Sequence, residues 1–195
     1  MKVEYLGGLF SPKDKPPESG LPEVAVMGRS NVGKSSLINL LLNQRQAARV
    51  SKTPGRTQAL HFFTVGEELC LVDLPGYGYA AAPAEVKKQW PALVYGYLEK
   101  RPSLKLGLLL VDIRREIRDE ERALADRFKM RNIPLWLVIT KADKEAKTRR
   151  VAAGQRLADQ LGIPPKDMLL TSSLSREGRE PLWDKLTRAL KGQTA

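Results

Sequence analysis

The stretch GRSNVGKSS, residues 28–36, constrains the fold of this chain more than any other. It fits the pattern G-x-x-x-x-G-K-[ST], follows an apolar run typical of a buried strand and opens a helical pattern. Gly28 and Gly33 allow the backbone to curl so that successive N–H groups point at one phosphate. The N-terminus of the helix beyond adds a favourable dipole. The sequence therefore predicts a phosphate-binding loop between a strand and a helix.

The side chains of this loop suit a nucleoside triphosphate with Mg²⁺. Lys34 places a compact charge on the outer phosphates, and the Ser35 hydroxyl is a hard oxygen ligand for Mg²⁺. The predicted phosphate-contacting residues are Gly28, Arg29, Ser30, Asn31, Val32, Gly33, Lys34, Ser35 and Ser36. Binding of the nucleotide follows from this motif, whereas hydrolysis does not follow from it alone.

Strands and helices alternate along most of the chain. Six apolar runs predict strands over residues 22–28, 59–65, 68–74, 104–112, 133–141 and 167–173. Helical patterns cover residues 34–43, 83–100, 118–132, 144–161 and 179–191. Because the strands are continuously apolar, both faces of the sheet should be covered. We expect a three-layer α/β fold whose six-stranded sheet is mostly parallel, with one antiparallel strand from a hairpin at Gly66.

The length of 195 residues suits a single domain. We expect a lead-in over residues 1–20, irregular in its Pro-rich part, and one nucleotide-binding domain over residues 21–195. No apolar stretch is long enough to span a membrane, and the first residues lack the apolar core of a signal peptide, so we expect a cytoplasmic protein. Cys70, the single cysteine, lies in an apolar run and is interpreted as a core residue.

Three further motifs lie at predicted strand ends. Asp73 begins DLPGYGYA and suits a Mg²⁺ site reached through water. In TKAD, Asp143 can accept two hydrogen bonds from the N1–H and amine of guanine, an edge that adenine lacks. Lys141 would lie along the purine face. In TSSL, residues 171–174, backbone N–H groups could meet the base oxygen.

The order GRSNVGKSS, PGRTQ, DLPGYG, TKAD and TSSL resembles the translation-factor class of GTPases, and most closely the EngB family, also called YihA or YsxC. The resemblance covers residues from about 20 to 190. It implies a Ras-like G domain with the P-loop fold, GTP binding, GTP hydrolysis, and a role in large ribosomal subunit assembly, growth, cell division and septation. It also implies pre-ribosomal particles, rRNA and ribosomal proteins as partners.

The same resemblance assigns roles to individual residues. Thr57 would give its hydroxyl to Mg²⁺ and its N–H to the γ-phosphate, and the Gly76 N–H would also meet that phosphate. The implied metal ligands are Ser35, Thr57 and, through water, Asp73; Lys34, Thr57, Gly76 and Asn31 are the implied catalytic set. The other implied nucleotide contacts are Gly55, Arg56, Gln58, Leu74, Pro75, Thr140, Lys141, Asp143, Thr171, Ser172, Ser173 and Leu174. Thr140 replaces the usual Asn of N-K-x-D, so we expect a weaker brace against the phosphate loop and unchanged base choice.

Tyr77 stands where many GTPases carry a water-orienting glutamine, so we predict slow intrinsic turnover. The Asn31 side chain either holds a K⁺ ion that neutralises developing charge or only braces the loop, and the sequence leaves both open.

A net charge of +11, with a basic excess concentrated in residues 101–150, suggests a polyanionic partner or, alternatively, a solvated basic surface without one. In the cytoplasm RNA is the first candidate, and we expect neither a DNA nor a membrane partner. Candidate RNA contacts are Lys87, Lys88, Arg114, Arg115 and Arg118. We expect a monomer. Two alternatives stay open, a nucleotide-stabilised RNA-binding scaffold without turnover and a P-loop phosphotransferase, although no lid segment supports the latter.

Overall fold

A computed structural model describes residues 2–43, 59–78 and 84–191, with the helical backbone alone for 84–88. The strands in these ranges are β1 Val3–Leu9, β2 Glu23–Gly28, β3 Leu60–Val65, β4 Leu69–Asp73, β5 Leu104–Asp112, β6 Leu135–Thr140 and β7 Met168–Leu170. The α-helices are α1 Lys34–Leu42, α2 Ala84–Lys100, α3 Asp119–Met130, α4 Lys147–Asp159 and α5 Arg179–Leu190. Short 3-10 turns lie at Ala142–Lys144 and Pro165–Asp167.

All seven strands form one sheet in the order β1-β3-β4-β2-β5-β6-β7. Strand β3 runs antiparallel to β1 and β4, and the other neighbouring pairs are parallel. The mostly parallel sheet and the hairpin at Gly66 are therefore confirmed, and β3 is the one strand that runs against the rest.

The predicted count of six strands is wrong, because β1 adds a seventh at the edge. Its register against β3 shifts between Tyr5 and Gly7, where Gly7 has a φ of 141°. Such a bulge breaks the two-residue alternation by which a strand is recognised in a sequence. The part of the lead-in over residues 11–18 is irregular, as expected.

Helices cover both faces of the sheet, which confirms the three-layer architecture. Helices α2, α3 and α4 pack on one face in a cluster that includes Leu93, Leu124 and Leu157. Helices α1 and α5 pack on the other face, for example through Leu37 and Leu186. Strands buried on both faces read as continuous apolar runs, as these do. Among the described residues, no helix is both long and apolar enough to cross a membrane.

The buried groups of this core include a thiol and a carboxylate away from the carboxyl edge of the sheet. Cys70 is fully buried, and burial raises the pKa of its thiol to about 12. Glu23 is also buried at the start of β2, where the Arg101 guanidinium donates to its carboxylate at 2.6 Å and 2.9 Å and the Tyr97 hydroxyl donates at 2.9 Å. Arg101 also donates to the Pro17 carbonyl at 2.5 Å. This network and β1 attach the first twenty residues to the sheet.

Candidate nucleotide-binding site

The phosphate loop connects the end of β2 to the start of α1, as predicted. A Cβ added at Gly28 would lie 2.9 Å from the Leu110 carbonyl oxygen and 2.9 Å from a Val32 methyl, so only glycine fits there. Gly33 has a φ of 109° and directly precedes α1, whose Leu37 N–H bonds to the Gly33 carbonyl at 2.8 Å. A left-handed conformation at this point is accessible to glycine at little cost. The local geometry thus presents the first N–H groups of α1 at the carboxyl edge of the sheet.

Lys34 and Asp73 meet at this edge. The Lys34 ammonium contacts the Asp73 carboxylate, and both side chains are largely buried. Asp73 ends β4 beside β2, and it faces the first turn of α1, where Ser35 is half-buried. A phosphate-binding cation, a carboxylate and a hydroxyl are therefore gathered in one place, which is the donor set that Mg²⁺ with a nucleotide requires. These residues fit that group.

The DLPGYG loop, residues 73–78, packs directly on the phosphate loop. The Ser30 N–H donates to the Tyr77 carbonyl at 2.8 Å, and the backbones of Arg29 and Tyr77 pair as in a parallel β-bridge. A Cβ added at Gly76 would lie 3.2–3.3 Å from three atoms of Ser30, which leaves little room for a larger residue. Gly76 therefore lies beside the phosphate loop, as its predicted γ-phosphate contact requires.

Tyr77, which stands at the position of the water-orienting glutamine, is buried, with 6% of its surface accessible. Its ring packs edge-on against Trp90 with centroids 5.7 Å apart, and the Trp90 indole N–H donates to the Pro75 carbonyl at 2.8 Å. Burial raises the pKa of Tyr77 well above its ordinary value, and the neighbouring Glu121 carboxylate adds to this. The hydroxyl has no hydrogen-bond partner among the described residues. The Tyr77 ring thus packs against α2 and not towards the phosphate side of the loop.

The strand-end residues of β6 contact the phosphate loop through two side chains. The Thr140 hydroxyl donates to the Val32 carbonyl at 2.7 Å, so the threonine does brace the loop, with the single donor that its hydroxyl carries. Lys141 adopts a left-handed backbone (φ 56°) and its ammonium donates to the Asn31 carbonyl at 2.8 Å. The aliphatic stem of Lys141 therefore spans the gap between β6 and the phosphate loop.

The TKAD and TSSL motifs are also brought together. The Ser172 hydroxyl donates to the Asp143 carboxylate at 2.6 Å, and this hydrogen bond lowers the pKa of Asp143. Ser172 is fully buried after β7, while Ser173 and Leu174 are exposed. The Thr171 hydroxyl bonds to the Ile139 carbonyl at 3.1 Å and ties β7 to β6. Asp143 is thus held as an ionised acceptor in a fixed orientation.

Asp112 is a site residue that sequence reasoning missed. It ends β5, is buried, and accepts hydrogen bonds from the Arg114 guanidinium at 2.8 Å and 2.9 Å, while its carboxylate lies 3.0 Å from the Lys141 ammonium. Burial alone would raise the pKa of Asp112, but the hydrogen bonds from Arg114 and Lys141 hold it well below its usual range. The position of an Asp at the end of LLLVD, one strand before TKAD, was the available signal.

Among the predicted residues, Arg29 is turned away from the phosphate side of the loop, and others lie outside the described residues. The side chain of Arg29 faces α3, 3.7 Å from Glu120, rather than the phosphate side of the loop. His61, opposite Asp73 in β3, bonds to the Tyr5 hydroxyl at 3.1 Å, and burial lowers its pKa. Gly55, Arg56, Thr57, Gln58 and Tyr79 lie outside the described residues, as do the side chains of Lys87 and Lys88.

Comparisons with known proteins agree with this geometry. Residues 23–141 match the family model described as "50S ribosome-binding GTPase". The chain is 50% identical to the "Probable GTP-binding protein EngB" of Syntrophotalea carbinolica, over 96% of this chain and 90% of that protein. It is 46% identical to the protein of the same name from Geobacter sulfurreducens, over 94% and 89%.

Solved structures share the fold. The chain superposes on the "Crystal structure of a probable GTP-binding protein engB" with a TM-score of 0.71 at 22% identity, covering 88% of this chain and 100% of that one. A structure of Era in complex with MgGDPNP and nucleotides of 16S ribosomal RNA superposes with a TM-score of 0.63 at 22% identity, covering 89% and 58%. At these identities the match concerns the fold.

Proposed function

This chain belongs to the EngB family of GTP-binding proteins, and we propose that it acts as a slow GTP-driven switch in large ribosomal subunit assembly. It is a P-loop GTPase. The GTP-bound form would bind a pre-ribosomal particle through rRNA and ribosomal proteins, and hydrolysis would release it. Normal growth, cell division and septation would depend on this cycle. We place the protein in the cytoplasm as a monomer, without a membrane or DNA partner, and with one nucleotide-binding domain after the lead-in.

The observation that carries the nucleotide part of this proposal is the convergence of three motifs at one sheet edge. Thr140 and Lys141 bond directly to carbonyls of the phosphate loop at 2.7 Å and 2.8 Å. Asp143 is oriented by Ser172 at 2.6 Å. A base read by Asp143 would therefore be positioned by the same residues that position the phosphates. Guanine supplies the two donors that the ionised Asp143 needs.

Mg²⁺ would be held by Ser35, by Asp73 through water, and by Thr57. When bound it would neutralise charge on the β- and γ-phosphate oxygens. Lys34 contacts Asp73, and we expect its ammonium to move onto those oxygens when the nucleotide binds. The ammonium and the Gly76 N–H would then oppose the charge that develops as water attacks phosphorus and the bond to the β-phosphate oxygen breaks.

Slow intrinsic turnover is supported by the direction of Tyr77. A carboxamide at this position can orient the attacking water, whereas the Tyr77 ring is packed against Trp90 and turned into the core. The attacking water would then be oriented mainly by backbone groups, until a ribosomal partner supplies further groups that orient it. The switch would thus hydrolyse GTP slowly on its own.

Asn31 supports a K⁺ site beside the phosphates. It is exposed, has a φ of 64° and receives Lys141 on its backbone carbonyl, while its side-chain amide bonds to none of the described residues. No contact among the described residues therefore supports the alternative, in which the Asn31 side chain only braces the phosphate loop. We expect turnover to be several-fold faster in KCl than in NaCl at equal ionic strength, and Asn31→Ala to remove the difference. Equal rates of the unaltered protein in both salts would refute the K⁺ ligand.

The decisive experiment combines particle binding with a change of nucleotide. Protein loaded with a non-hydrolysable GTP analogue should co-sediment with large-subunit assembly intermediates, and GDP-loaded protein should not. Asp143→Asn replaces a carboxylate, whose two oxygens both accept, with an amide that has one accepting oxygen and one donating NH2 group. Xanthine carries a carbonyl where guanine carries its amine, so the amide suits xanthine better than guanine. This variant should lose GTP affinity by about 100-fold or more and co-sediment only with the xanthosine analogue.

The variant is its own control, because the particle contacts are unchanged while the required nucleotide differs. Equal co-sedimentation of the GTP, GDP and nucleotide-free forms would contradict the switch. A preference for ATP over GTP would contradict the role of Asp143.

A further inference from the structure

A cavity lies at the end of the sheet opposite to the nucleotide site. It has a volume of about 310 Å³ and lies where β5 and β6 begin and α5 ends. Its apolar wall includes Leu106, Trp136 and Leu190, and three lysines line it: Lys105, Lys166 and Lys185. The nucleotide motifs sit at Asp112 and Thr140, where the same two strands end, so the two sites are separated by the length of the sheet.

Lys185 is held in a defined position at this cavity. Its ammonium lies 4.1 Å from the centroid of the Trp136 ring and 2.9 Å from the Asp167 carboxylate, and it also donates to the Lys166 carbonyl. Cation–π contact and a charge pair restrict a side chain that is otherwise flexible. The cavity is therefore preorganised rather than a random gap between surface lysines.

Lys105 and Lys166 line the same cavity and have no acidic partner within the described residues. With Lys185 and Asp167, the four charged groups sum to two excess positive charges. Basic residues at helix C-termini often only balance the helix dipole. None of these three lysines lies in the last turn of an α-helix, because Lys105 is in β5, Lys166 is in a 3-10 turn and Lys185 is in the middle of α5. Dipole compensation therefore does not explain them.

We propose that this lysine cleft, formed by Lys105, Lys166 and Lys185 around Trp136, docks the phosphodiester backbone of rRNA. Phosphates would lie on Lys105 and Lys166, and a ribose would lie over the apolar wall, where a low local dielectric strengthens the charge attraction. A net charge of +11 supplies the longer-range attraction. The inference rests on the proposed ribosomal role and assigns rRNA to the face opposite the nucleotide, leaving the DLPGYG loop free for other contacts.

The test is a salt titration of binding to protein-free large-subunit rRNA, measured for three forms of the full chain. They are the unaltered protein, the cleft variant Lys105→Gln/Lys166→Gln, and the control variant Lys147→Gln/Arg149→Gln. The control removes the same charge from the first turn of α4, where both residues are exposed. Each phosphate contact that is lost should reduce the slope of log affinity against log salt by about 0.7–0.9.

The cleft variant should therefore lower the slope by about 1.4–1.8 in total, while the control variant keeps the slope of the unaltered protein. Both variants should bind a fluorescent GTP analogue as the unaltered protein does, which shows that they are folded. Equal slopes for the cleft and control variants would overturn the proposal that the lysine cleft binds rRNA phosphates. Failure of the proposed switch would be seen in a different experiment. In that case the protein would co-sediment with particles equally well in its GTP and GDP forms, while the slopes of the cleft and control variants on bare rRNA would still differ.

Discussion

Tyr77 lies one residue after the glycine that approaches the phosphate loop, and its ring fills a space beside Trp90. The chain direction there is set by the Ser30–Tyr77 hydrogen bond of 2.8 Å, which leaves the side chain on the α2 side. The chemistry of position 77 therefore concerns stability more than water orientation.

We expect Tyr77→Phe to leave the free energy of unfolding unchanged or slightly higher, because the buried hydroxyl has no partner among the described residues. Tyr77→Gln should lower it by about 2–4 kcal/mol, since it removes ring packing and buries an amide. It should not accelerate GTP turnover by more than a few-fold, because the amide would point into the core. Urea unfolding and single-turnover hydrolysis measure both quantities. A large gain in turnover for Tyr77→Gln would show that the side chain can reach the phosphate side.

Residue types at the site were predictable where a backbone motif fixes the position, as at Gly28, Lys34 and Asp143. Side-chain direction was not, because it depends on neighbours that the local sequence does not name. Tyr77 turns towards Trp90, thirteen positions further along the chain, and Asp112 acquires its role through Lys141, 29 positions away. At Thr140 the side-chain contact survives a departure from the motif. The residue replaces the usual Asn of N-K-x-D, and its hydroxyl still donates a hydrogen bond to the phosphate loop.

At the scale of elements, α2 is connected to the DLPGYG loop by one tryptophan. Trp90 donates its indole N–H to the carbonyl of Pro75, directly before Gly76. If a bound γ-phosphate draws the Gly76 N–H towards itself, we expect the Trp90 hydrogen bond to change as well. Helix α2 would then respond, through Trp90, to which nucleotide is bound.

We expect the intrinsic fluorescence to change when GDP is replaced by a non-hydrolysable GTP analogue, and Trp90→Phe to abolish most of that change. Phenylalanine keeps an aromatic ring against Tyr77 but has no N–H for Pro75. The matched variant Trp183→Phe alters a partly buried tryptophan on α5, on the other face of the sheet, and should keep the change. If Trp183→Phe abolished the signal instead, the coupling would run through α5.

Most elements were predictable from the period of their apolar residues. Strand β5 has the predicted bounds, and helices α1 and α5 each end one residue before the predicted limit. Strand β1 was missed because its bulge and its glycines remove the alternation, and because it gains stability by pairing with β3, about sixty residues further on. Pairing at such a separation leaves no mark on the local pattern.

At the scale of the whole molecule, the Glu23–Arg101 pair joins three segments that are far apart in the sequence. Glu23 starts β2, Arg101 follows α2, and Arg101 also reaches the Pro17 carbonyl of the lead-in. Removing one member of a buried pair leaves an uncompensated charge, whereas replacing both with apolar residues often costs little.

We therefore expect Arg101→Met to lower the free energy of unfolding by about 3–5 kcal/mol, and the double variant Glu23→Met/Arg101→Met to recover much of this loss. Guanidinium chloride unfolding of the four proteins in the cycle gives the interaction energy. The surface pair of Arg149 and Glu145 is a suitable reference, and Arg149→Met should cost less than about 1 kcal/mol. Additive effects of the two buried substitutions would mean that the pair is not coupled.

The alternation of strand and helix patterns, with continuously apolar strands, was sufficient for the three-layer architecture. The lysine cleft was not predictable in the same way. Lys105, Lys166 and Lys185 belong to three elements, and only the packing of α5 against β5 and β6 places them around one cavity.

The burial of Cys70 makes this chain convenient for optical work. A thiol with a pKa of about 12 inside the sheet stays protonated at neutral pH and reacts very slowly with maleimides. A cysteine introduced on an exposed position of α4 and a second beside the lysine cleft would then be the only reactive thiols. Donor and acceptor dyes attached there would report, by energy transfer in single molecules, whether an occupied cleft alters the opposite end of the sheet.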